Sequence, residues 1–284
     1  MAGAGKTAFV LAGGGSLGAV QVGMLHALIE AGEQPDFLVG SSVGALNAAW
    51  FAGAPDLAGV EKLAEVWVGL RRADLFPMSL SRLFGILRRP DSIADPRPLR
   101  RLLEIHLAFN RIEDARLPLH IMATDQQGVG VRLSSGPAIE AILASASVPG
   151  IFPPVSIGGQ DLMDGAIAAN TPLRVAVTLG ASRIIVLPTG YACALDGPPK
   201  GAIARILHAI TLLISWQLMH EIAAMPDGTD VHLAPALCPL AVSPYDFSAA
   251  RQLIGRAKDT TREWIDGGGL QRPARARDLS PHHH

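Results

Sequence analysis

The sequence is poor in several features that would have fixed its class at once. Charged residues make up 17% of its 284 positions against 49% hydrophobic, and the formal net charge is −1. That balance leaves no electrostatic footprint for nucleic acid, and it provides enough apolar mass for a substantial core. Only two cysteines occur, Cys193 and Cys238, without CxxC spacing. They do not suggest a disulfide framework, and a reducing compartment is the simpler expectation. No uninterrupted run of about twenty apolar residues exists, so no membrane-spanning helix is expected. Ala8 to Ala12 is too short for the core of a signal peptide and runs straight into glycines, which predicts a cytoplasmic location. The closing His282-His283-His284 reads as a loose tail or tag remnant rather than a metal site. Neither a metal nor a cofactor is expected, and no feature specifies an oligomeric state.

What is present centres on Gly40-Ser41-Ser42-Val43-Gly44. A short apolar run, Phe37 to Val39, precedes it, and a small, apolar, helix-compatible run follows from Val43 to Phe51. Gly-x-Ser-x-Gly on such a strand-to-helix turn is a nucleophile elbow: Gly40 and Gly44 permit the tight path, and Ser42 is pushed out at the strand end. There the hydroxyl meets the positive end of the following helix, which favours developing negative charge.

Taken in order, the chain alternates strand and helix patterns. Strands are predicted at Thr7 to Ala12, Phe37 to Val39, Leu119 to Thr124, Val129 to Leu133, Arg183 to Pro188 and Val231 to Leu233, with a hairpin across Gly158-Gly159. Helices are predicted from Val20 to Leu28, after the elbow to near Gly53, and at Leu57 to Leu70, Arg97 to Leu107, Ile139 to Ser145, Leu173 to Leu179, Ala202 to Ala224 and Phe247 to Asp266. Prolines mark an irregular excursion between Asp74 and Pro98, and Tyr191 to Gly201 reads as a loop. No repeat and no dividing linker appears, so a single α/β domain is expected over residues 5–266, followed by a basic, disordered tail over 267–284. The alternation predicts a three-layer fold, a mostly parallel central sheet covered by helices on both faces.

The loop Gly13-Gly14-Gly15-Ser16-Leu17-Gly18 admits three readings. Gly13, Gly15 and Gly18 satisfy the dinucleotide-binding G-x-G-x-x-G spacing, but the acidic residue that should end the second strand is replaced by Gly40-Ser41-Ser42, and Asp36 precedes that strand. Alternatively the backbone N–H groups of Gly13, Gly14 and Gly15, with that of Val43 after the serine, form an oxyanion hole. This works if the first two strands lie side by side. A turn without chemistry is the third reading. It leaves two special turns on neighbouring strand ends unexplained.

A serine nucleophile needs a base. His26, His106, His120, His208, His220 and His232 all fall in ordinary helix or strand contexts and read as structural or surface residues. Asp164, followed by the small Gly165 and Ala166, is either that base or a turn aspartate bonding its own backbone. The residues alone leave both open.

The three segments, in this order, resemble the patatin-like phospholipases, as does Ala144-Ser145-Ala146-Ser147-Val148-Pro149 ahead of Phe152-Pro153-Pro154. The resemblance covers about residues 7–190. It implies a lipid acyl hydrolase with a Ser–Asp dyad, in which Ser42 is the nucleophile, Asp164 the base and the Gly13 to Gly15 backbone the oxyanion hole. Leu17 departs from the family pattern, which usually has Arg or Lys there, so a preference for anionic headgroups is weakened. The implied partner is an acyl-ester or lipid substrate, with transient contact to a membrane surface. The helix at 203–222 is read first as a core helix and second as a wall or lid for acyl chains. The proline-rich segment 74–98 is a further candidate for acyl contact. The competing functions are a non-catalytic lipid-binding module of the same fold and a dinucleotide-binding protein.

Overall fold

A computed structural model describes residues 5–71, 94–190, 202–238 and 246–275. The strands are β1 (Lys6–Leu11), β2 (Phe37–Ser41), β3 (Leu119–Thr124), β4 (Gly130–Leu133), β5 (Val155–Ile157), β6 (Gln160–Asp164), β7 (Ala181–Leu187) and β8 (Asp230–Leu233). The helices are α1 (Gly18–Glu30), α2 (Val43–Gly53), α3 (Leu57–Gly69), α4 (Arg97–His106), α5 (Ala138–Ser145), α6 (Ala166–Ala169), α7 (Leu173–Thr178), α8 (Ala202–Ala223) and α9 (Ala250–Asp266).

The strands form one sheet in the order β5-β6-β3-β2-β1-β7-β8, with β4 also pairing β3. β1 pairs β2 and β7 in parallel, β2 pairs β3 in parallel, and β7 pairs β8 in parallel. The antiparallel pairings, β3 with β4 and β6 and β5 with β6, lie toward one edge. The middle strands are apolar at successive positions because both faces of the sheet are covered. Phe9, Leu11, Leu38 and Ile121 point into a large core with α1, α2, α3 and α9. Their neighbours Ala8, Val10, Val39 and Met122 point into a second core with α7 and α8. Burying each large side chain of this kind contributes about 1.5–3 kcal/mol. The result is the three-layer α/β architecture expected from the alternation.

Helix boundaries follow local chemistry. The Asp56 carboxylate accepts the Gly59 N–H at 2.8 Å and caps α3. Pro98 sits in the first turn of α4, where its missing N–H is harmless. Leu99 and Leu103 face inward from α4, and Arg100 forks onto Glu140 at 2.9 and 2.7 Å to tie it to α5.

Three expectations change. The chain beyond Gly267 does not loosen at once: Leu270 is buried, and Ala274 N–H donates to the Val231 carbonyl at 2.7 Å, so the segment through 275 packs against β8. Cys238 is disulfide-bonded. That runs against the absence of a disulfide expected from the cysteine count and removes its argument for a reducing compartment; Cys193 lies outside the described residues. On α8, Leu218 and Ile222 are buried, whereas Leu212, Leu213 and Trp216 face outward. Most of the 74–98 segment and the 191–201 loop lie outside the described residues. Among those described, no helix is long and apolar enough to cross a membrane.

Candidate active site

β2 ends at Ser41 and α2 begins at Val43, leaving Ser42 alone in the turn with φ 54 and ψ −126. Among the described residues it is the only non-glycine with positive φ. Such a backbone costs of order 1–3 kcal/mol and persists only where the surroundings impose it. The two elbow glycines do so by allowing close approach. A Cβ on Gly44 would fall 2.2 Å from the Leu11 carbonyl oxygen, and one on Gly40 would fall 2.6 Å from the Ala45 Cα. The start of α2 is thereby pressed against the end of β1. The elbow pattern predicts Ser42 pushed out at the strand end, but it is buried, at 8% exposure, rather than standing out on the surface.

Asp164 closes β6, two strands from the elbow, in register with Ala123 of β3. Its Oδ2 accepts the Ser42 hydroxyl at 2.7 Å, and its Oδ1 accepts the Ala166 N–H at 2.8 Å. Burial pushes its carboxyl up from the ordinary 3.8 to about 6, opposed by the bonds from Ser42 and Ala166. The second bond is the turn contact expected of an Asp-Gly sequence, while the first sets the same carboxylate within hydrogen-bond reach of the serine hydroxyl. Gly165 is required because a Cβ there would lie 2.2 Å from the Met122 carbonyl oxygen.

The segment after α5 braces both residues. Ser145 Oγ accepts the Ser42 N–H at 2.9 Å, the Ser145 carbonyl accepts from Gly165 N–H, and the Ser147 carbonyl accepts from Asp164 N–H at 2.9 Å. The Thr124 hydroxyl donates to the Asp164 carbonyl at 2.8 Å. Sequence reasoning singled out 144–149 only for its likeness to a family pattern and overlooked Thr124. The available signal was polar side chains in stretches that must be buried.

The glycine loop lies beside the elbow, since β1 and β2 are neighbours. Gly13 leaves the expected set of oxyanion donors, because its N–H is directed to the Asn170 carbonyl at 3.1 Å. Its own carbonyl accepts from Thr189 Oγ1 at 2.7 Å, which anchors the loop to the end of β7. Among the described residues the N–H groups of Gly14, Gly15 and Val43 have no protein acceptor. Gly15 holds φ +60 and opens a short 3-10 turn, while Gly18 begins α1 with its Cα against Val43 and Trp67. Leu17 is partly buried against the large core. Asp36 is engaged at the opposite, N-terminal end of the central strands, where its Oδ2 accepts the Thr7 N–H at 2.6 Å. It is therefore far from any ribose bound at this loop.

Among the described residues no histidine bonds to Ser42 or Asp164. His26 lies by Glu30 and Lys258, His106 against Trp50, and His220 against Trp216. His120 packs on Phe37, its pKa pushed down to about 4 by burial, and His232 Nδ1 faces the Gly269 carbonyl. Among the described residues no three or more His, Cys, Asp or Glu side chains are grouped so as to hold a metal ion.

Ser42 opens into a cavity of about 180 Å³. Leu46, Trp67, Leu70, Leu99, Ile151 and Phe247 contribute to its walls, and apart from Ser42 its described lining is apolar. The described side chains of α8 do not line it, so the reading of that helix as an acyl wall finds no support.

The family profile described as patatin-like phospholipase matches residues 9–177, which include the glycine loop, the elbow and Asp164-Gly165-Ala166. The chain is 30% identical over 186 residues to patatin-like phospholipase domain-containing protein 7 of Rattus norvegicus, covering 64% of this chain and 13% of that protein. It is also 30% identical over 184 residues to the neuropathy target esterase sws of Drosophila melanogaster, with the same two coverages. The chain thus corresponds to about an eighth of the length of these curated relatives. Similar solved structures include VipD from Legionella pneumophila (TM-score 0.49, 15% identity, 93% of this chain and 67% of that one). Another is human GIVD cytosolic phospholipase A2 with a fluorophosphonate inhibitor (TM-score 0.45, 14% identity, 97% and 60%). With a match spanning more than half its length and all three motifs, this chain belongs to the patatin-like phospholipase family.

Proposed function

We propose that the chain is a serine acyl-ester hydrolase acting on lipid esters through a Ser42–Asp164 dyad. The observation that carries this reading is the 2.7 Å bond from the Ser42 hydroxyl to a buried carboxylate at the end of an apolar cavity. Family membership and relatives named phospholipase and esterase support it.

The acyl chain lies in the cavity with its carbonyl at Ser42. Asp164 accepts the hydroxyl proton as Ser42 Oγ attacks the ester carbon, and the carbonyl oxygen takes up negative charge. That oxygen is met by the unengaged N–H groups of Gly14, Gly15 and Val43 at the positive end of α2. Collapse of the intermediate expels the alcohol, which takes the proton back from Asp164, and leaves an acyl group on Ser42. Water then attacks this acyl-enzyme while Asp164 accepts its proton. The acid is released as Ser42 recovers its hydroxyl proton from Asp164. A carboxyl near 6 suits both directions of transfer around neutral pH better than an ordinary aspartate would.

The test is labelling by a small fluorophosphonate, followed by peptide mapping. The reading predicts modification at Ser42, lost in Ser42→Ala. Absence of labelling in the folded wild type would favour the non-catalytic lipid-binding module.

A further inference from the structure

We infer that the cavity selects apolar acyl chains of about eight carbons, with Trp67 as a length-determining wall. This rests on the hydrolase reading above and goes beyond it by naming the acyl class.

The first ground is size. An engineered protein cavity of about 150 Å³, lined by Leu, Ile and Phe, stays dry and accepts one benzene, a body of six carbons. In proportion, the cavity of about 180 Å³ takes about seven carbons beyond the ester carbonyl, which is an octanoyl chain. The second ground is chemistry. With Ser42 the only polar side chain on the described lining, a hydroxylated or charged acyl group would lose its water and gain no partner.

The third ground is rigidity. Trp67 is 2% exposed and stacks on Phe247, with ring centroids 6.1 Å apart at 15°. Its Nε1 donates to Asn47 Oδ1 at 2.8 Å. Asn47 Nδ2 donates to Gln21 Oε1 at 2.8 Å and to the Gly18 carbonyl at 2.9 Å. Gln21 Nε2 in turn donates to the carbonyls of Ala12 at 2.8 Å and Leu187 at 2.9 Å. Swinging the indole aside would leave Asn47 Oδ1 buried without a donor. The same network holds carbonyls at both ends of the glycine loop, so the wall and the oxyanion donors form one body. A longer chain cannot gain room at Trp67 without disturbing the groups that stabilise the reacting oxygen.

The experiment is a series of p-nitrophenyl esters from two to sixteen carbons, run beside labelling with ethyl fluorophosphonate. We expect kcat/KM to rise about fourfold per methylene, equivalent to ~0.8 kcal/mol, up to about eight carbons, then to level off or fall. Trp67→Leu should move the optimum to longer chains. Val148→Phe, at a lining position 36% exposed and so able to accept a larger ring, should move it to shorter ones. If Ser42 is labelled but rates are flat in chain length or still climbing at sixteen carbons, the length inference alone is overturned. The same follows if neither folded variant moves the optimum. If Ser42 is not labelled and no ester is cleaved, the hydrolase reading fails and takes this one with it. Should Trp67→Leu not fold, Val148→Phe decides.

Discussion

Replacing Asp164 by asparagine should abolish activity and at the same time stabilise the fold. The wild-type carboxyl rises from 3.8 to about 6 on burial, so the folded state binds its proton more tightly than the unfolded state does. Between those two pH values the folded chain carries more protons, and stability therefore falls as pH rises. A displacement of about two pH units corresponds to about 3 kcal/mol. The cost is absent below the unfolded value and complete above about 6. Asparagine cannot ionise, yet its carbonyl still accepts the Ala166 N–H and its amide can donate to Ser42 Oγ, so little else is lost. Asp164→Asn should thus gain on wild type by about 3 kcal/mol between about pH 4 and pH 7.5, or about 6–12 °C in melting temperature. Urea titrations of both proteins at several pH values would read this directly, since all other ionisable groups cancel in the comparison. Parallel stability curves across that window, or a variant that loses stability relative to wild type as pH rises, would refute the account of a carboxylate held charged at a cost.

Four further outcomes follow from the same geometry. Ser42→Ala should lower kcat by about 10⁴-fold or more, without the pH-dependent gain of Asp164→Asn; the double variant should be no worse than either single one. Ser42→Gly should be equally inactive but more stable than Ser42→Ala by about 1–2 kcal/mol, because glycine accepts the backbone that serine is forced into; calorimetry would detect the difference. The kcat/KM profile of the wild type should rise with pH through about 6 and then stay level, as the base loses its proton, and a falling limb there would contradict the role of Asp164. Asp56→Ala should cost about 1 kcal/mol by uncapping α3, measurable by denaturant titration, with chain-length preference unchanged.

The alternation of strands and helices was readable because the apolar stretches have the right lengths and are punctuated by glycine and proline. β1, β2, β3 and β7 were legible as continuous apolar runs, since both of their faces are buried. Ser42 and its glycines were legible because the elbow permits so few residues. Asp164 was not decidable from the residues alone: its partner lies on a strand paired two places away, and only the tertiary register brings them together. Gly13 could not be struck from the donor set, because the carbonyl that occupies its N–H belongs to Asn170, far along the chain. Gln21 and Asn47 left a faint trace as lone amides within apolar helices. What they bond to depends on how α1, α2 and α3 cross.

Ser42 and Asp164 are separated by 122 positions. During synthesis Ser42 is therefore made long before Asp164, and a serine hydroxyl without a base attacks no ester. The two meet only when β6 docks on β3 and the turn after α5 closes over both. Under the reading proposed here, a chain capable of destroying lipid carries no such activity while it is incomplete or partly folded. Ester cleavage would then serve as a stringent reporter of refolding: recovery of helical signal without recovery of turnover would mean that the β3–β6 edge, and not the central strands, had failed to assemble.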